Sequence, residues 1–271
     1  MDLTEGSPMH EQAGRSERSH YLRFPAPWLA GCSDTGLRHR TNQDALCLAV
    51  RGGEPNAAML ALADGVTTAH GSEVASAVAT ETAIEFMTQG HDRGYAANVV
   101  FMKAFAEANQ AVLDASDDPS ACTLIAAMVA GDTIAVGNVG DSRAYWVGAD
   151  GSCQLLSTDD SMAQARIMLG MPREQAEQSS QAHAITKWLG RQSMNASPSV
   201  TTLQPVGPGW LLLCSDGLWN YASSPDDMAA LFSMVATAGT PTDVLAEALV
   251  AWAVERGGRD NITVIVARVE P

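Results

Sequence analysis

Four stretches of the chain each set an aspartate at the mouth of an apolar run: Leu60-Ala-Leu-Ala-Asp64-Gly65, Gly137-Asn-Val-Gly-Asp141-Ser-Arg143, Leu211-Leu-Leu-Cys-Ser-Asp216-Gly217, and Asp260-Asn261 ahead of Ile262-Thr-Val-Ile-Val266. Carboxylates are hard oxygen donors, and a set delivered from strand ends suits Mg²⁺ or Mn²⁺. At separations of about 5 Å and an effective dielectric of about 20, each pair of such charges repels by about 3 kcal/mol. Four of them converge only around a cation. Taken singly, each aspartate caps a turn after a strand, the commoner fate of Asp-Gly. Taken together with their flanks, capping is the weaker account.

A fifth aspartate stands in Cys32-Ser-Asp-Thr-Gly-Leu-Arg38-His39-Arg40-Thr-Asn42-Gln43-Asp44-Ala45. Between the clusters lie Ala121-Cys-Thr123, Leu156-Ser-Thr-Asp159-Asp160-Ser161 and Thr186-Lys-Trp-Leu189-Gly190. This ordered set resembles the metal-dependent protein phosphatases of type 2C in their compact bacterial form, over residues 29–269. The resemblance implies a serine/threonine phosphoprotein phosphatase with two divalent ions, Mn²⁺ or Mg²⁺, and room for a third. It implies that Asp64 bridges the two ions, that the Gly65 carbonyl binds one, and that Asp216 and Asp260 hold the other. Asp44 would act on the Gly65-bound ion through coordinated water, and Asp141 would hold the third ion together with Asp216. A water shared by two divalent ions ionises near neutral pH; the resulting hydroxide would attack phosphorus in line, with no phosphoenzyme. The partners implied are phosphorylated proteins, either targets of a serine/threonine kinase or the kinase itself.

The chain departs from the family pattern at the phosphate-binding arginine. That residue usually lies five positions before the motif aspartate, a place held here by His39 with Arg38 and Arg40 on either side. A guanidinium grips two phosphate oxygens at once, so one of the two arginines is expected to orient the phosphate. Arg40 lies closer to Asn42-Gln43-Asp44, and His39 is expected to face solvent. Animal relatives also carry a histidine directly after the Asp-Gly pair, where this chain has Val66. Protonation of the leaving group must then come from a metal-held water or another side chain, His70 being one candidate. Gln43 replaces a frequent glutamate and can still hydrogen-bond a coordinated water. The segment from Met162 to Gln175, within a flap at about 159–186, matches the family's mobile flap in position, and its methionines offer an adaptable surface. A plain helical connection is the other reading of it.

Two rival functions remain. Cys32 and Arg38 satisfy the Cys-x5-Arg spacing of cysteine-dependent phosphatases, but that chemistry needs a phosphate-cradling loop at a helix start and a depressed thiol pKa. Here a strand pattern follows, and no serine or threonine succeeds the arginine. A catalytically silent phosphoprotein-binding module on the same fold is the non-enzyme alternative; the presence of Asp44, Asp64, Asp141, Asp216 and Asp260 favours activity.

The elements that must position these residues follow from periodicity. Strand patterns run at 28–32, 45–50, 57–63, 123–130, 133–139, 144–147, 200–204, 210–215 and 261–268, several joined by short turns, which predicts largely antiparallel pairing. Helical stripes are predicted through Val74, Ala75, Val78, Ala79, Thr82 and Phe86, and through Phe101, Ala104, Phe105, Ala108 and Val112. Two more are predicted through Met228, Leu231, Phe232 and Val235 after a Ser224-Pro225 start, and through Leu245, Ala248, Leu249 and Trp252. The expected fold class is α+β, an α/β/β/α four-layer sandwich, and the resemblance implies the same. One domain from residue 28 to 271 with a flexible tail over 1–27 accounts for the 271 residues, of which 46% are hydrophobic, ample for a core. A net charge of −15 without a basic stripe disfavours nucleic acid. No apolar run of about 20 residues predicts a membrane span, and the tail lacks the apolar core of a secretory signal. The five cysteines show no Cys-x-x-Cys pair and read as buried hydrophobes of a reducing compartment. A cytoplasmic monomer is expected.

Overall fold

The computed structural model describes residues 18–270 apart from 53–56, 67–68, 70, 116–118, 194 and 238, so that His70 and residues 1–17 lie outside the described residues. The strands are β1 (His20–Ala26), β2 (Leu29–Asp34), β3 (Ala45–Val50), β4 (Ala58–Ala63), β5 (Ala121–Cys122), β6 (Leu124–Ala130), β7 (Thr133–Val139), β8 (Arg143–Gly148), β9 (Cys153–Leu155), β10 (Leu189–Gly190), β11 (Ser199–Leu203), β12 (Gly209–Cys214) and β13 (Ile262–Val269). The helices are α1 (Ser72–Asp92), α2 (Ala97–Ala115), α3 (Met162–Met168), α4 (Arg173–Glu177), α5 (Asp216–Trp219), α6 (Pro225–Val235) and α7 (Thr242–Glu255). None of these helices is long and apolar enough to cross a membrane.

The central strands are apolar on both faces, and that is why they sit inside a layered sandwich. Along β4, Leu60 and Leu62 point into a core shared with Leu211, Leu213 and Ile265 of the other sheet. Their neighbours Met59, Ala61 and Ala63 point the other way, onto α1 and α2. Along β12 the same alternation sends Trp210, Leu212 and Cys214 outward against α6 and α7. The sheets run β1-β2-β13-β12-β8-β9 and β11-β7-β6-β4-β3, with β5 and β10 as a small annex, and their pairs are antiparallel. The four layers are those expected. At α6 the Ser224 start closes a capping box with Asp227 behind Pro225.

Two expectations are corrected. Residues 20–26 belong to the folded unit: β1 pairs with β2, and Arg18 and His20 both contact the buried Asp34 at 3.1 and 2.8 Å. Its half-exposed pattern and its register shift around Pro25 mark an edge strand, which lacks the clean alternation that betrays inner strands. The buried face of α1 is also rotated. It carries Ser72, Ala75, Ser76, Ala79, Thr80, Ala83, Ile84 and Met87, whereas Val74 is 43% exposed. Small side chains let the helix lie close to the sheet, and the Ser76 and Thr80 hydroxyls donate to the Ser72 and Ser76 carbonyls, so their burial leaves no polar group unpaired.

This layering gives a stability contrast readable by urea denaturation. Leu60→Ala, between the sheets, should lower unfolding free energy by about 2–5 kcal/mol, and Val74→Ala by no more than about 0.5 kcal/mol. Comparable losses would contradict the rotated helix face.

Candidate metal centre

Strand register delivers the aspartates to one end of the sandwich. Asp64 directly follows β4, whose last residue Ala63 pairs with Ala45 just after Asp44. Asp141 follows β7, whose last residue faces Leu124 at the start of β6. In the other sheet Cys214 pairs with Val264 and Arg143, which sets Asp216, Asp260 and Asp141 at neighbouring strand ends. A cleft of about 150 Å³ opens there, lined by Asp64, Gly65, Val66, Thr123, Asp141, His183, Ile185, Asp216 and Asp260.

Each carboxylate is held by its own neighbours. The Asp64 amide donates to Thr123 Oγ1 at 3.0 Å, while Thr123 N donates to the Asp64 carbonyl at 2.8 Å. A side chain at Gly65 would place its Cβ 2.6 Å from the Gln43 carbonyl oxygen, so only glycine allows this backbone approach. Asp216 opens α5 and accepts from Asn220 Nδ2 at 3.0 Å. Asp44 sits deeper and ties the sheets together: Oδ2 accepts from Ser215 Oγ at 2.9 Å and from Thr263 Oγ1 at 2.7 Å. Its Oδ1 is buried with no hydrogen-bond partner.

Burial pushes Asp44 up to about 6 despite those two donors, with Asp260 nearby adding repulsion. Burial and then Asp159 push Asp141 up to about 7, against the pull of Arg143. Asp64 is raised well above the carboxylate range, first by burial and then by Asp44, Asp216, Asp141 and Asp260. Asp216 is raised likewise by burial, Asp141, Asp260 and Asp44. Among the described residues no three His, Cys, Asp or Glu side chains form a ready-made ligand cage. Mg²⁺-like ions ask for none, since they keep several waters and take one or two carboxylates each. An all-oxygen donor set, four carboxyls in mutual repulsion and the orphaned Asp44 Oδ1 fit such ions.

The segment before Asp44 differs from expectation at His39. Its side chain is only 25% exposed, and Nε2 lies 3.3 Å from Asp260 Oδ1, so it faces the site rather than solvent. A bond from Leu37 N to the Gly258 carbonyl, at 2.8 Å, pins this loop to the Asp260 turn. Arg38 and Arg40 are exposed on either side and outside the cleft lining. Cys32 is fully buried within β2, and burial pushes its thiol up to about 12, with Glu247 and Asp34 adding to the rise. A thiol in mid-strand, with no helix start to hold phosphate, is the opposite of a cysteine nucleophile.

Residues 159–186 fold as α3 and α4 around Ala163, Ala176 and Ala182, with Met168 and Leu169 exposed. Buried Arg143 holds this segment: it meets Asp159 at 2.7 Å and Glu177 of α4 at 3.0 Å, and Ser223 Oγ also donates to Glu177. The Arg143 guanidinium lies 3.7 Å from the centroid of Trp219, and the His183 ring rests 5.9 Å from the same indole. A groove of about 650 Å³ between α4, α5 and the Arg256–Arg259 turn adjoins the cleft, sharing His183 and Asp260 with it. Sequence reasoning did not single out His183, Ser215 or Thr263. The last two flank recognised aspartates, while His183 carries no motif.

The raised carboxyls fix a pH dependence for the metal-free chain. A carboxyl whose folded pKa is raised holds its proton where the unfolded chain has lost it, so the stabilisation present at acid pH is lost as pH climbs through the folded values of about 6 and about 7. The melting temperature without metal should fall between about pH 4 and about pH 7, and saturating Mn²⁺ should remove most of the fall. A flat metal-free profile would contradict the charge cluster.

Comparison with known proteins places this arrangement. The serine/threonine protein phosphatase PstP of Mycobacterium tuberculosis is 28% identical over 249 residues, covering 89% of this chain but 44% of PstP, so the chain spans less than half of that relative. A crystal structure of the PPM Ser-Thr phosphatase MsPP from Mycobacterium smegmatis, in complex with cacodylate, is 30% identical with a TM-score of 0.71, covering 88% of this chain and 97% of that one. The catalytic domain of PstP in complex with two manganese ions is 25% identical with a TM-score of 0.68, covering 93% and 100%. The family described as Protein phosphatase 2C matches residues 37–253, from the Arg38 loop almost to the Asp260 turn and thus most of the sandwich, and the chain belongs to that family.

Proposed function

We propose that the chain is a serine/threonine phosphoprotein phosphatase that hydrolyses phosphoserine and phosphothreonine at a centre of two divalent ions, Mn²⁺ or Mg²⁺. The observation that carries this reading is the convergence of Asp64, Asp141, Asp216 and Asp260 on one small cleft with Asp44 behind them. The two manganese ions in the PstP catalytic domain support a two-ion centre here. Asp64 and the Gly65 carbonyl would hold one ion, Asp216 and Asp260 the other with Asp64 between them, and Asp141 would serve a third with Asp216. Bound there, the ions would acidify water and neutralise charge on the phosphoryl oxygens.

The chain's own residues supply position. Ser215 and Thr263 fix one oxygen of Asp44 and leave the other, buried, without a hydrogen-bond partner. His39 contacts Asp260, and one of its exposed neighbours Arg38 and Arg40 would fork two phosphate oxygens. The substrate polypeptide would lie in the adjoining groove, whose walls carry Trp219, Tyr221, Arg256 and Arg259. Phosphorylated proteins of a serine/threonine kinase pathway are the proposed substrates.

Release of phosphate from a phosphoserine peptide should require Mn²⁺ or Mg²⁺ and stop on chelation; full turnover in metal-free buffer would sink the reading. Asp216→Asn and Asp260→Asn should each abolish turnover while the protein stays folded by circular dichroism. Of the single variants Arg38→Ala and Arg40→Ala, one, expected to be Arg40→Ala, should raise KM by about tenfold or more. Equal and negligible effects would leave phosphate binding to the ions alone.

A further inference from the structure

We infer that His183 is the general acid that protonates the departing serine or threonine oxygen, an assignment that rests on the phosphatase reading above. An alkoxide is a poor leaving group, so a positioned proton donor gains rate at this step. Val66 holds the place directly after Gly65 and cannot donate. Of the described residues lining the cleft, His183 alone carries an imidazole. The carboxyl groups beside it must be ionised to hold cations and have no proton to give.

Placement makes the case specific. The phosphoryl group would sit in the carboxylate cleft and the polypeptide in the adjoining groove, so the ester oxygen lies where the two meet. Among the described residues, only His183 and Asp260 line both cavities, and Asp260 is a proposed ligand. A further recess of about 310 Å³ shares Val66 and Ile185 with the cleft, neither of which bears a transferable proton. His183 is exposed, yet its ring packs at 36° against Trp219, a side chain that is 3% exposed and backed by buried Arg143. An imidazole is thus presented on a rigid support.

The step balances without a further reagent. Water attacks phosphorus, the bond from phosphorus to the ester oxygen breaks, and its electron pair goes to that oxygen. The imidazolium of His183 gives it a proton, forming the free hydroxyl. Of the two protons of the attacking water, one stays on the phosphate and the other passes to solvent, which returns one to the imidazole.

The test compares the Mn²⁺-loaded protein with His183→Gln, which keeps a flat polar group against Trp219, and with His183→Ala. Two substrates are used: a phosphoserine peptide and 4-nitrophenyl phosphate, whose phenolate leaves without help. Both variants should lose about a hundredfold or more in kcat on phosphoserine and far less on the aryl ester. Added imidazole should restore part of the phosphoserine activity of His183→Ala, and the Mn²⁺-induced rise in melting temperature should match wild type. Equal losses on both substrates, or none on phosphoserine, overturn the assignment. If His183→Ala fails to fold, the substrate ratio of His183→Gln decides alone. A wild-type chain inactive on both substrates with either metal would instead overturn the phosphatase reading and this inference with it.

Discussion

Like charge buried at one end of the sandwich is the constraint on which the rest of the structure turns. Asp44, Asp64, Asp141 and Asp216 are all raised by burial and by neighbouring carboxylates, and buried Arg143 relieves Asp141 only in part. Arg143 spends its donors on Asp159, Glu177, Tyr145 and Ser223. Carboxylates without a paired cation either take up protons or recruit an ion from solution. A fold that tolerates this arrangement must draw its stability from elsewhere. It does so from three apolar layers, one between the sheets and one under each helical face.

The sandwich does more than compensate. An antiparallel ladder fixes which residues end up opposite one another, and a slip of one residue would turn every side chain to the other face. Ala45 opposite Ala63 and Cys214 opposite Val264 therefore determine which aspartates meet. Asp44 then links the sheets directly, because its two hydroxyl donors come from Ser215, just past β12, and from Thr263 of β13, while Asp44 itself immediately precedes β3. Register, sheet packing and ligand placement are one property.

This dependence explains what could be read from sequence. The five aspartates announce themselves because each ends or begins an apolar run, a one-dimensional signal that survives folding unchanged. Inner strands were legible for the same reason, since two buried faces leave an uninterrupted apolar stretch. The edge strand β1 was not, as only part of it meets the core. The face of α1 was misjudged because its burial is built from serine, threonine and alanine, whose small size is useful only against a close neighbour. His39 and His183 were beyond reach for a different reason. What each touches, Asp260 in one case and Trp219 in the other, lies on a segment distant in the chain, and no local pattern records such a meeting.

The segment 159–186 shows how the same charges reach beyond the cleft. Its own core consists of little more than three alanines, too small to hold α3 and α4 against the body. Glu177 does that work by entering the shell of Arg143, two residues after Asp141 on the same strand entry. The Arg143–Asp159 pair beside it is buried and screened little by salt, whereas Glu177 is only partly buried; loss of Arg143 would leave Asp159 alone inside, which costs about 3–5 kcal/mol. The segment is thus held by geometry-demanding polar contacts more than by yielding apolar ones. A displacement of Arg143 would be felt at Asp141 on one side and, through Trp219, at His183 on the other. Arg143 therefore touches the 159–186 segment at Glu177 and borders both the carboxylate cluster, through its pull on Asp141, and the indole against which His183 rests.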